Sequence, residues 1–195
     1  MGKSKHLIKV LALFEKSPVV DFKSIERIIH AKKNNYAKLL VSYLIKREVI
    51  KKIAKGCYTK YNDSGLVVLC FSPGYLGLQS ALSMHGLWEQ ETIPIVITSK
   101  KVRTGLRNVL GGNALIRRAQ RNFIFGVEYM QDGKFYLPYS DVEKTFIDMI
   151  VFKQKMPEEV AKMFIKAIDE KKLKRYLRVY SSKIKKRVMD AYSSG

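Results

Sequence analysis

The chain has 195 residues, 47% of them hydrophobic and 28% charged, with 37 Lys/Arg against 17 Asp/Glu. That length holds one or two compact domains and excludes a large multidomain enzyme, while the apolar content excludes a disordered polyelectrolyte. A formal net charge of +20 is far more than solubility asks for and points to a polyanionic partner, nucleic acid first.

The charge is unevenly spread. Residues 1–60 hold 15 Lys/Arg and 4 Asp/Glu, a net of +11; residues 61–170 hold 13 and 12, a net of +1; residues 171–195 hold 9 and 1, a net of +8. The chain is a basic head, a nearly neutral body and a basic tail.

In the head, Leu7, Ile8, Leu11 and Phe14 suit one face of a helix over His6–Lys16, which Pro18 ends. Val19–Val20 reads as a very short strand or tight connection, and Asp21 as the cap of a second helix, Phe22–Ala31, with Ile25, Ile28 and Ile29 inward. Lys32–Asn34 is a polar turn. Asn34 or Asn35 caps a third helix to about Arg47, with Leu39, Leu40, Tyr43 and Leu44 as its packed side. Val49–Ala54 and Cys57–Tyr61 favour extension around the turn signal Lys55-Gly56. Three short helices followed by a hairpin is the order of a winged helix-turn-helix, with residues 53–56 as the wing tip.

The third helix of such a domain can enter the major groove, where donor and acceptor patterns distinguish the bases. Asn34, Asn35, Lys38 and Ser42 lie on or near its polar side and are the base-reading candidates, since Asn pairs bidentately with adenine and Lys reaches guanine or phosphate. Lys46, Arg47, Lys51, Lys52, Lys55 and Lys60 are phosphate candidates. A winged domain can also serve protein contacts.

The body begins after the polar linker 62–65. Leu66–Phe71 reads as an apolar strand, Tyr75–His85 as a helix stopped by Gly86, and Ile93–Thr98 as a strand in which Pro94 suggests an edge or a start. Lys100–Asn108 is a basic loop or short helix. Leu115–Ala119 and Asn122–Tyr129 look extended, Asp132-Gly133 is a hairpin turn before strand Lys134–Pro138, and Asp141–Phe152 is a helix with Val142, Phe146, Met149 and Ile150 inward. Arg103, Arg107, Arg117, Arg118 and Arg121 form a basic series in this neutral body and are further phosphate candidates. In the tail, Pro157 starts a helix with stripe Val160, Phe164 and Ile168; Lys171–Tyr180 and Lys183–Tyr192 are two more basic helices. The expected fold class is α+β: a winged helix-turn-helix over 1–61, an α+β domain with a small mixed sheet over 66–155, and a basic helical extension over 156–195.

No reaction site stands out. There is no Walker loop, no G-x-S-x-G elbow and no H-E-x-x-H. Glu143 and Asp148, five apart, sit poorly on one helix face, and His85 has no obvious orienting carboxylate. Cys57 and Cys70 make neither a disulfide framework nor a zinc site, and His6, His30 and His85 are scattered. No cofactor, metal or catalytic residue is expected. No apolar run reaches the roughly 18–20 residues of a membrane span, and Lys9 interrupts the run Leu7–Phe14 that a signal peptide would need. A cytoplasmic protein with reduced cysteines and no membrane partner is expected.

Several short, ordered segments resemble a known family. The segment Tyr75–Gln90 carries Ser80-Ala81-Leu82 and His85-Gly86-Leu87; Val142–Asp148 contains Glu143-Lys144-Thr145-Phe146-Ile147-Asp148; and Gly56-Cys57-Tyr58 ends the hairpin. These are similar to the signatures of the AbiEi-type antitoxin and transcriptional regulator family of type IV toxin–antitoxin systems, with Thr145 and Phe146 departing mildly from its Glu-Lys-Ala-Leu-x-Asp helix. The resemblance covers most of residues 1–155. It implies an N-terminal winged helix-turn-helix and an antitoxin domain, binding to inverted repeats in the protein's own promoter, autorepression, and opposition to a nucleotidyltransferase-like toxin. The residues alone leave open a stand-alone winged-helix regulator, a module that neutralises such a toxin directly, and an RNA-binding accessory protein. Since one winged helix reads only a few base pairs, a homodimer or a cooperative pair on double-stranded DNA is expected.

Overall fold

Pro18, Asp21 and the Lys55-Gly56 turn punctuate the head where the backbone demands it. The structure, a computed structural model, describes residues 2–29 and 35–194. Asn34, His30 and the turn expected at 32–34 lie outside the described residues. The chain divides into two compact units: residues 1–70 with 108–113, and residues 71–107 with 114–195.

In the first unit, helix α1 (Gly2–Lys16) buries Val10 and Phe14 and ends before Pro18; Ile8, expected on the packed face, is 64% exposed, and Val10 takes the inner position instead. Strand β1 (Val20–Asp21) leads straight into α2 (Phe22–Ile28), and the Asp21 carboxylate caps α2 by accepting from the Ser24 amide at 2.8 Å. Helix α3 (Asn35–Lys46) is followed by β2 (Lys51–Ala54) and β3 (Cys57–Thr59). The strands form an antiparallel sheet in the order β1-β3-β2. The turn between β2 and β3 relies on Gly56, whose φ of +73° suits a residue without Cβ. Val10, Phe14, Ile25, Leu44 and Ile50 centre the core of this unit.

The packed side of α3 differs from expectation. Ala37, Leu40, Val41 and Leu44 are buried, whereas Leu39 and Tyr43 face solvent. Both sets fit a 3.6-residue period and share Leu40 and Leu44. The small Ala37 and the β-branched Val41 take the inner face, which turns the helix by about one residue's 100°.

The second unit holds all but the β6–β7 tip (residues 108–113) of a mixed six-stranded sheet in the order β6-β7-β5-β4-β9-β8. Its strands are β4 (Gly74–Leu76), β5 (Ile95–Thr98), β6 (Gly105–Val109), β7 (Gly112–Arg118), β8 (Val127–Asp132) and β9 (Phe135–Ser140). β5 runs parallel to β7 and β4 parallel to β9; β4 with β5, and β8 with β9, are antiparallel. Helix α4 (Gln79–Met84) precedes β5. Helices α5 (Val142–Val151), α6 (Glu158–Ala167), α7 (Glu170–Leu177) and α8 (Ser182–Ser193) follow β9, and α6, α7 and α8 pack against α5. The helices over 158–193 therefore share one core with α5 and the sheet, through Phe164, Leu173, Leu177 and Val188.

Four elements depart from expectation. The segment expected as extended over Asn122–Tyr129 opens in a 3-10 turn, Arg121–Phe123, and is a strand only from Val127. Leu66–Phe71 lies within a 3-10 helical stretch, Ser64–Phe71, not a strand. Asp63 opens it by accepting from the Gly65 amide at 2.8 Å, and a short buried apolar run has no period to oppose that choice. Tyr75–His85 is a strand and then a helix, because Gly74–Leu76 pairs with β5 and Leu78, at a φ of 55°, breaks the run before α4. Gly105–Val109, expected as loop or helix, is a strand, since Leu110 and Gly111, with φ of 51° and 84°, form a tight turn that returns the chain into β7. The mixed sheet and the α+β class hold. Among the described residues no helix is long and apolar enough to cross a membrane.

Candidate functional site

The outer face of α3 carries the first candidate surface. Asn35, Lys38, Leu39, Ser42, Tyr43 and Lys46 are exposed and recur at three- and four-residue intervals, so they share one side of the helix. Leu39 is 68% exposed and Tyr43 49%. Arg47, just past the helix, sets its guanidinium 5.6 Å from the centre of the Tyr43 ring, a cation–π contact that holds this ring toward the C-terminal end.

The hairpin adds cations of different availability. Lys52 and Lys55 are exposed, Lys55 at the turn. Lys51 is exposed and donates to the Asn62 side-chain oxygen at 3.1 Å. Lys60 is half-buried and ion-paired with Glu15 of α1, so part of its charge is already answered within the unit. The base-reading candidates Asn35, Lys38 and Ser42 thus share one face, and the phosphate candidates divide into open ones (Lys46, Lys52, Lys55) and engaged ones (Arg47, Lys51, Lys60).

The arginine series belongs to the second unit apart from these. Arg103, Arg118 and Arg121 are exposed, while Arg107 and Arg117 are half-buried. Arg107 lies over the Phe71 ring at 5.4 Å and donates to the Arg103 carbonyl. Arg117 and Arg118 are consecutive on β7 and so point to opposite faces of the sheet. These five do not form one phosphate-binding stripe.

A buried polar cluster, not anticipated from the sequence, occupies the centre of the second unit. Lys144 and Asp148, one turn apart on α5, form an ion pair with both side chains enclosed. The Tyr75 hydroxyl donates to the other Asp148 oxygen at 2.7 Å. The Lys144 ammonium also lies 5.4 Å from the Tyr75 ring and 5.3 Å from the Phe125 ring. Asp141 caps α5 by accepting from the Lys144 amide at 2.8 Å, and takes a hydrogen bond from the Tyr176 hydroxyl at 2.7 Å. Lys172 of α7 bridges Asp141 at 3.2 Å and Glu143 at 2.8 Å. Gly126 is needed here: at its φ of +62° an added Cβ would lie 2.9 Å from the Lys144 Cβ.

Burial pushes the Asp148 carboxyl up and the Lys144 ammonium down, each opposed by attraction to the other. Burial lifts the Tyr75 and Tyr180 phenols well above their ordinary value. Burial, then the hydrogen bond to Asp141, takes Tyr176 from 10.0 to about 12. For Lys172, burial acts downward, but hydrogen bonds to Glu143 and Asp141 outweigh it and leave the ammonium above its usual value. A shifted lysine beside a carboxylate and a phenol is the inventory of an acid–base site. Yet Lys144, Asp148 and Tyr75 are each 2% exposed or less, so nothing outside the fold reaches them. Within the fold they tie β4 to α5. The Lys144–Asp148 pair was legible as a lysine and an aspartate four apart inside an apolar helix. Among the described residues no group of three or more His, Cys, Asp or Glu is placed to hold a metal ion.

No protein-family model and no curated protein matches the chain. The fold is similar to that of the RV2827C protein from Mycobacterium tuberculosis, known from a crystal structure. The likeness has a TM-score of 0.62 at 11% sequence identity and covers 97% of this chain and 77% of that one. At that identity it speaks for the α+β fold alone.

Two predictions concern the cluster. Asp148→Ala strands a buried ammonium and is expected to cost about 3–5 kcal/mol in urea unfolding; Lys144→Met with Asp148→Leu, which removes both charges, is expected to be more stable than Asp148→Ala alone. A double variant no better than the single one would contradict the ion-pair account. The second concerns pH. Tyr176, Tyr75, Tyr180 and Lys172 all hold protons more tightly when folded, so the stability they lend is complete below their unfolded values and is lost as pH rises through the folded ones. Lys144, shifted down, acts in the opposite sense but finishes titrating by the ordinary lysine value. Stability is therefore expected to fall between pH 10.5 and about 12, less steeply in Tyr176→Phe than in the wild type. A flat profile across that window would count against these assignments.

Proposed function

We propose that the chain is a sequence-specific DNA-binding transcriptional regulator whose first unit is a winged helix-turn-helix. The observation that carries this is the outer stripe of α3, where Asn35, Lys38 and Ser42 stand exposed together in a segment of net charge +11. A helix that shows an amide, an ammonium and a hydroxyl along one face offers the groups that read base edges in the major groove. The β2–β3 hairpin directly after α3 supports the wing assignment, with Lys52 and Lys55 for the phosphates that flank the groove. The element order helix, strand, helix, helix, hairpin suits that domain.

The resemblance of the Tyr75–Gln90 and Glu143–Asp148 segments to AbiEi-type proteins supports a narrower form of the proposal. In that form the chain is an autorepressing antitoxin. It binds inverted repeats of its own promoter as a homodimer or a cooperative pair, and a nucleotidyltransferase-like toxin is its functional partner. The enclosure of Lys144, Asp148 and Tyr75 favours a binding role over an enzymatic one.

Quantitative footprinting on the protein's own upstream DNA, at several salt concentrations, tests this. Asn35→Ala is expected to weaken specific binding by about 1–3 kcal/mol and to leave random-duplex binding nearly unchanged. Equal losses on both duplexes would remove Asn35 from base reading. Lys55→Ala is expected to weaken both and to lower the salt slope by about one unit, whereas Lys60→Ala, whose charge Glu15 already answers, should change the slope less. No salt-resistant protection on that DNA would count against autoregulation.

A further inference from the structure

Leu39 is the feature of the α3 face that charge and hydrogen bonding do not explain. It is 68% exposed in the middle of a polar stripe, with Asn35 one turn before it and Ser42 and Lys46 after it. A leucine left in water contributes nothing to the core, which Ala37, Leu40, Val41 and Leu44 already fill from the other side of the helix. It gains free energy only where it meets another apolar surface. Lys38, Lys46 and Arg47 surround it with positive charge, and Glu48, past the helix end, is the sole acidic residue between positions 35 and 50. The complementary occupant is a polyanion. On the floor of the major groove, among donors, acceptors and bare C–H edges, the C5 methyl of thymine is the one apolar substituent that stands out from the base.

We infer that Leu39 reads a thymine methyl group in the duplex that α3 contacts, and so sets part of the sequence specificity. This rests on the duplex-DNA role proposed above. Tyr43, the other exposed apolar residue of the stripe, is held by the Arg47 guanidinium and leaves Leu39 as the open apolar contact. The helix rises about 1.5 Å per residue, so Leu39 stands about 6 Å along the axis from Asn35. That is less than two base-pair steps of roughly 3.4 Å. An adenine read by Asn35 and a thymine read by Leu39 therefore fall within two steps of each other.

Replacing thymine by deoxyuridine removes the methyl and keeps every hydrogen bond of the base pair. The experiment selects duplexes from a random pool with the full wild-type chain, then replaces each thymine in turn. At one thymine the replacement is expected to weaken wild-type binding about fourfold, the value of one buried methyl, and at the others less than twofold. Leu39→Ala, at an exposed helical position, is expected to melt at the wild-type temperature. It should bind the thymine duplex as weakly as the wild type binds the deoxyuridine one, and should ignore the replacement. A wild type indifferent at every thymine, or a Leu39→Ala variant that keeps the discrimination, overturns the inference while the duplex-DNA role stands. A variant that loses self-association but keeps thymine discrimination overturns it in favour of a protein contact. If the wild type selects no duplex at all, the DNA role itself falls, and the inference with it.

Discussion

An ammonium group without access to water dictates the arrangement of the second unit. Desolvating Lys144 is tolerable only because Asp148 stands one turn along the same helix and two aromatic rings face the charge. That requirement fixes Tyr75 of β4, whose hydroxyl occupies the second Asp148 oxygen, and so ties a central strand to α5. It reaches outward through Asp141, which caps α5 and accepts from Tyr176, and through Lys172, which joins α7 to both Asp141 and Glu143. Sheet, central helix and tail helices meet at one set of complementary charges. A partly satisfied network of this kind would be worse than an apolar core, so its members form a single cooperative set.

The tail's excess charge takes on a different aspect in this light. Leu173, Leu177 and Val188 are committed to the core of the second unit, so α7 and α8 are part of the domain that carries the cluster. Lys172, counted among the basic residues of the tail, is spent on three carboxylates. In the head, by contrast, Lys46, Lys52 and Lys55 remain on the surface. Where a lysine sits in the contact network, more than how many there are, separates structural charge from charge available to a partner.

Much of the head was legible because its signals are local. Asp21 as a cap, Pro18 as a stop and Lys55-Gly56 as a turn each act through backbone chemistry that neighbouring residues determine. The inward face of α3 was legible only to within one residue, since Leu39 and Tyr43 look more like core than Ala37 does. Hydrophobicity ranks side chains, whereas packing against α1 and α2 selects by shape. In the body the errors fell where long-range pairing decides. Gly74–Leu76 is a strand because β5 and β9 lie on either side of it, a fact absent from its own neighbourhood. The polar cluster combines both cases: Lys144 and Asp148 are a local pair, four apart on α5, whereas Lys172, which meets Glu143, comes from α7 and Tyr75 from β4.

One small junction fixes the hairpin turn within the first unit. The Phe22 amide, at the first turn of α2, donates to the Gly56 carbonyl at 2.8 Å, and Asp21 pairs with Cys57. The hairpin turn is thereby stitched to the start of a helix in its own core. A loop that wandered in solution would have to be ordered on contact, at a cost in chain entropy. Here that ordering is completed when the unit folds, because the turn that carries Lys55 is already held to the start of α2; under the DNA-binding role proposed above, the turn would meet a phosphate without being ordered first.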